Sequence, residues 1–123
     1  MQDLRERTIL VVEDDPTISE ILRILLEDTG CRILEASGGV EALRLAAEER
    51  PDLITMDLSL PDMDGYDVLR NLQANPELVS VPIVVVSGRQ FEQRVPARVV
   101  AVLLKPFDAS ELDDVVRAAL LEA

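Results

Sequence analysis

Runs of residues that are apolar without alternation constrain this chain more than any other feature. TILVV at 8–12, VPIVVV at 81–86 and RVVAVLL at 98–104 offer almost no polar face, and the apolar part of DLITMDL at 52–58 behaves alike. Strands of that kind have to be covered on both sides, which is the property of a parallel sheet packed between helices. A weaker run at 31–36 adds a fifth strand.

Helical signals fill the intervals. After the first strand, Glu13-Asp14-Asp15-Pro16 reads as a helix start, with Asp15 as N-cap and Pro16 in the first turn. Ile18, Ile21, Leu22 and Leu25 then repeat at helical spacing up to a stop at Gly30. Ser37-Gly38-Gly39 turns the chain into a helix over 40–50, where Val40, Leu43 and Ala47 mark one face and Pro51 ends it. Tyr66, Leu69 and Leu72 line a short helix that stops near Asn75-Pro76. Asp108 with Glu111 has the form of a capping box, followed by the stripe Leu112, Val115, Val116, Ala119 and Leu120. The segment 88–97 is the exception. Its periodicity is poor and Pro96 stands near its end, so a distorted turn or a loop is expected where a helix would be due. The fold class predicted is α/β, a single doubly wound five-stranded parallel sheet flanked by helices, with the fourth helix shortened or irregular.

Composition sets further bounds. The 123 residues suit one domain, with a core expected to be aliphatic, because Tyr66, Phe91 and Phe107 are the only aromatic residues. A net charge of −12 disfavours direct nucleic-acid binding and anionic membrane surfaces. Cys31 is the single cysteine and His is absent, which leaves no internal disulfide or zinc site. The opening residues 1–7 are charged and the run after them is too short for a signal peptide or a spanning helix, so a cytoplasmic location without membrane insertion is expected. Eleven of the 12 basic residues are Arg, and the one lysine is Lys105, a position where a compact ammonium suits and a guanidinium fork does not. Arg89, Arg94 and Arg98 against Glu92 form a small basic patch, read first as a solvated or internally paired surface and second as a docking edge.

In open α/β sheets ligands bind beyond the carboxyl ends of the strands. Here those ends carry Glu13 and Asp14, Asp57, Ser87 and Lys105. Taken singly each has a plain explanation: a charged helix start, a turn, a lysine before a proline. A calcium-loop alignment of Asp62, Asp64 and Gly65 fails, since it puts Leu60 and Asn71 at ligand positions. Together they suggest chemistry. Two carboxylates about 5 Å apart repel by roughly 3 kcal/mol at an effective dielectric of about 20, so Glu13, Asp14 and Asp57 invite a divalent cation or a proton. With oxygen donors only, Mg²⁺ fits. Lys105 and Ser87 could then hold a phosphoryl group while Asp57 attacks phosphorus.

The motifs VVEDDP, MDLSLPDMDG, VVVSG and LLKPF, in that order, closely resemble the receiver domain of bacterial two-component response regulators, the CheY-like family of flavodoxin-like fold. The resemblance covers about 8–121 of a single domain at 1–123. It implies that Asp57 is the phosphoacceptor and that Asp14 binds Mg²⁺ directly, with Glu13 acting through water. The Ser59 carbonyl is implied as a further ligand, Ser87 as the hydroxyl switch, and Lys105 as the phosphate-pairing lysine before a cis bond to Pro106. Ser59 and Arg89 stand at places that influence phosphoryl lifetime in the family. Two departures stand out. Val102 replaces the aromatic switch residue expected three positions before the lysine, and the interval from Ser87 to Lys105 is shorter than usual.

The function implied is Mg²⁺-dependent acceptance of a phosphoryl group from a sensor histidine kinase or histidine phosphotransfer protein, switching the binding of a downstream protein. The alternative is a pseudo-receiver, an interaction module whose output does not depend on phosphorylation. Beyond self-directed phosphoryl transfer and autodephosphorylation, no enzymatic activity is expected. The residues end at the last helix with no DNA-binding or enzymatic output segment, as in a stand-alone receiver or one excised from a longer chain.

Overall fold

The computed structural model describes residues 4–92 and 97–122. Strands β1 (Thr8–Val12), β2 (Arg32–Ala36), β3 (Leu53–Met56), β4 (Ile83–Ser87) and β5 (Val99–Leu104) form one parallel sheet in the order β2-β1-β3-β4-β5. Helices α1 (Pro16–Glu27) and α4 (Ala109–Glu122) cover one face, α2 (Gly39–Glu49) and α3 (Gly65–Ala74) the other. All strands run the same way, but the order in which they are added reverses between β1 and β3, so the crevice at their carboxyl ends is the topological switch point.

The apolar runs occupy the middle of the sheet. Every residue of β3 and β4 is buried, as are Ile9, Leu10, Val11 and Val12 of β1. Successive residues feed opposite cores: Leu10, Ile54 and Val85 join Tyr66, Leu69 and Leu72, whereas Ile9, Leu53 and Val84 join Leu22, Leu26, Leu112 and Val116. The strands are slightly shorter than their apolar runs. Pro82 has no N–H for the ladder, but its carbonyl accepts from Ile54 N–H at 3.1 Å, and Asp57 and Leu58 already belong to the loop.

The caps match the reading of the sequence. Asp15 accepts from the N–H groups of Thr17 and Ile18, and Asp108 from those of Ser110 and Glu111. Arg50 closes α2 in the left-handed region (φ 47) directly before Pro51.

Two helix faces differ from expectation. In α1 the buried line is Ser19, Leu22 and Leu26, with Ile18 and Leu25 half-buried and Ile21 45% exposed. Aliphatic residues surround more than half of this helix, so periodicity left its rotation open and packing against β1, β2 and α4 decided it. In α2 the buried residues are Gly39, Ala42 and Ala46, whereas Val40 is 66% exposed and Ala47 is also exposed. Close approach of α2 to α3 and β1 favours the smallest side chains over the largest apolar ones.

Between β4 and β5 the described residues contain no helix; 88–92 and 97–98 run as bends and coil, and Gln93–Pro96, with Arg94 of the basic patch, lie outside the described residues. On β5, Val100, Val102 and Leu104 are between 40% and 48% exposed.

Candidate phosphoacceptor site

Four strand ends build the site, and the ladder continues one residue past three of them. Glu13 N–H donates to Ala36 O at 3.0 Å, Asp57 N–H to Val12 O at 3.1 Å, and Lys105 N–H to Ser87 O at 2.9 Å. These bonds set the first polar residue after each apolar run in a row along one sheet edge. Ser87, the last residue of β4, completes the group at 0% exposure.

Asp57 is at the centre and is buried, 4% exposed, rather than standing in solvent as an acid at a strand end would suggest. Its Oδ2 accepts from Lys105 Nζ at 2.8 Å, and its Oδ1 from Ser87 Oγ at 2.8 Å and Ser59 N–H at 3.0 Å. Burial alone would raise its carboxyl; the hydrogen bonds from Lys105, Ser59 and Ser87 outweigh burial and hold it below the ordinary value. It is therefore an ionised, oriented carboxylate at neutral pH.

Lys105 also donates to Glu13 Oε1 at 2.6 Å. Burial pushes the Glu13 carboxyl up against the opposing pull of Lys105 and of Asp15 N–H, which donates to Oε2 at 3.1 Å. On Lys105 burial acts to lower the ammonium, but hydrogen bonds to Asp57 and Glu13 leave it raised. The lone lysine thus bridges two buried acids through a single nitrogen, a contact suited to a point charge.

Glu13, Asp14 and Asp57 each bring a carboxylate oxygen within 4.8 Å of the others, with Asp14 exposed at the mouth. The donor set is oxygen only, which fits a hard divalent cation such as Mg²⁺. Ser59 lies beside this group through its N–H bond to Asp57. Every site residue named from the sequence is thus brought to one place, and the Lys105-Pro106 bond is cis.

The β3–α3 loop is held from both sides. Leu58 O accepts from Gly65 N–H at 2.9 Å and from Arg89 Nη1 at 3.0 Å. Gly65 allows this close approach, because a Cβ there would lie 2.5 Å from Leu58 Cα and 2.9 Å from Asp57 O. Asp62, which the failed calcium alignment had singled out, serves another helix: its two oxygens accept from Gly39 and Val40 N–H at 2.8 and 3.0 Å and cap α2 from a distance of 23 residues in sequence. No local pattern signals a cap so remote.

The family model for the response regulator receiver domain matches residues 9–117. The chain belongs to the receiver family. Among curated relatives, this receiver is 39% identical over 116 residues to the transcriptional regulatory protein KdpE of Mycobacterium tuberculosis, covering 91% of the chain and 50% of that protein. It is 48% identical over 81 residues to a protein-glutamate methylesterase/protein-glutamine glutaminase of Hahella chejuensis, covering 65% of the chain and 22% of that protein. The receiver therefore spans half or less of the length of these relatives. Among solved structures it superposes with a TM-score of 0.83 and 30% identity on the receiver domain of a Pseudomonas aeruginosa sensor histidine kinase, covering 93% and 97% of the two chains; that domain holds a magnesium ion in its active site cleft. Receiver membership implies phosphoryl acceptance in two-component signalling. Among the described residues no helix is long and apolar enough to cross a membrane.

Proposed function

We propose that Asp57 accepts a phosphoryl group from a histidine of a sensor kinase or phosphotransfer protein, and that the phosphorylated receiver changes its binding to a downstream protein in the cytoplasm. One observation carries this reading: a buried yet ionised carboxylate has a lysine, a serine hydroxyl and two further acids around it. In the step itself a carboxylate oxygen of Asp57 attacks phosphorus. The new O–P bond forms as the P–N bond to the donor imidazole breaks, and the electron pair leaves with that nitrogen. Lys105 Nζ and Ser87 Oγ, already on the Asp57 oxygens, hold positive charge and a hydroxyl proton where the phosphoryl oxygens arrive. Glu13, Asp14, Asp57 and the Ser59 carbonyl would hold Mg²⁺, which supplies charge neutralisation on the phosphoryl group. Transfer to Asp57 and its later hydrolysis are the receiver's own chemistry, with no external substrate.

Incubation with acetyl phosphate and Mg²⁺ tests this by intact mass. A gain of one phosphoryl group is expected, lost in Asp57→Asn and with a chelator. An unchanged mass would favour a pseudo-receiver that binds partners independently of phosphorylation.

A further inference from the structure

Tyr66 is the only tyrosine in a chain without tryptophan, and it lies 2% exposed in the first turn of α3. Its neighbour Gly65 is pressed against the Asp57–Leu58 backbone, so the ring has a fixed seat beside the acceptor loop. Three residues of the described stretch 88–92 after β4 converge on it. The Arg89 guanidinium lies over the ring at 5.6 Å from its centroid, Phe91 stacks on it at 5.8 Å and 13°, and Glu92 N–H donates to its hydroxyl at 2.7 Å. Arg89 also reaches back to Leu58 O and, at 3.4 Å, to Asp64. The same connection begins at Ser87, whose Oγ takes the N–H of Arg89 at 3.2 Å while donating to Asp57.

We propose that Tyr66 is the positioning residue that couples the Ser87 hydroxyl to the connection after β4. Val102 stands 42% exposed on β5, whereas the Tyr66 ring is in contact with Arg89, Phe91 and Glu92. The route is physical at each step. When Asp57 carries a phosphoryl group, the Ser87 hydroxyl redirects its hydrogen bond from Asp57 Oδ1 to a phosphoryl oxygen, and turning toward it weakens the bond from Arg89 N–H. Arg89 then shifts its fork on Leu58 O and its guanidinium over Tyr66, and the stack with Phe91 and the bond from Glu92 shift together. This inference rests on phosphorylation at Asp57, and its test separates the two.

The full chain is treated with acetyl phosphate and Mg²⁺ and followed by intact mass, by tyrosine emission and by amide exchange at 88–92. The single tyrosine makes the emission a report on position 66 alone. A change in emission and in exchange that rises with the mass gain, both lost in Asp57→Asn, is expected. Without phosphodonor, Tyr66→Phe keeps the ring but removes the acceptor and should speed exchange at Glu92 about tenfold, the worth of about one hydrogen bond; Tyr66→Leu should extend faster exchange to Arg89 and weaken the response to phosphodonor, with Tyr66→Phe restoring it in part. A mass gain with unaltered emission and exchange would overturn the coupling while leaving the receiver reading intact. Absence of a mass gain would overturn that reading and the coupling with it.

Discussion

Lys105 holds two buried carboxylates through one nitrogen, so its removal leaves Glu13 and Asp57 facing each other without a counter-charge. Lys105→Met is expected to cost about 2–3 kcal/mol at neutral pH by urea unfolding, with added Mg²⁺ recovering part of the loss; Lys105→Arg should rescue poorly, since a planar fork cannot put one atom between both acids. Asp62 allows a cleaner pH experiment. Bonds from Val40 and Gly39 N–H hold its carboxyl below 3.8, so the folded state binds its proton less readily than the unfolded chain. Its contribution is present above that unfolded value and fades as pH falls through the lower folded one. Asp62→Asn should lower the urea midpoint at pH 7, and the two proteins should converge in acid. Asp57, Ser87 and Lys105 were legible in the sequence because each ends an apolar run. Asp62 was not, because a cap contributed by another loop leaves no local pattern.

At the scale of elements, the cover on β5 is uneven. Leu103 is 4% exposed beneath α4, whereas Val102, paired beside fully buried Val85, is 42% exposed. Val102→Thr should therefore change stability by less than about 0.5 kcal/mol, and Val85→Thr should cost about 1–3 kcal/mol by burying an unpaired hydroxyl; urea denaturation of both variants checks the contrast. An irregular segment at 88–97 was expected from its poor period and Pro96; 88–92 bear this out, and 93–96 lie outside the described residues. The faces of α1 and α2 were misread for a reason of geometry. A helix with aliphatics around much of its girth has several plausible stripes, and the neighbour's shape selects among them. Ala42 and Ala46 won over Val40 because the space at α3 and β1 is narrow.

For the whole molecule, a net charge of −12 is distributed over helices whose ion pairs, such as Arg44–Glu48 and Arg70–Asp67, are largely exposed. Self-repulsion outweighs such pairs, each worth well under about 1 kcal/mol. Raising salt from about 0.05 to 0.5 M should lift the melting temperature by a few degrees, roughly 1 kcal/mol, as the Debye length contracts; a fall in melting temperature would show that local pairs dominate instead. The sequence by itself determined the strand and helix order, the parallel sheet and the identity of the edge that carries the acids, because unbroken apolar runs admit few other arrangements and polar residues end them. Tertiary structure alone decided that Asp57 is buried and ionised, that Lys105 serves two acids at once, that Asp62 caps a distant helix, and that Tyr66 gathers the connection after β4. These depend on groups 23 to 92 residues apart meeting at one end of the sheet, and no local propensity encodes such distances.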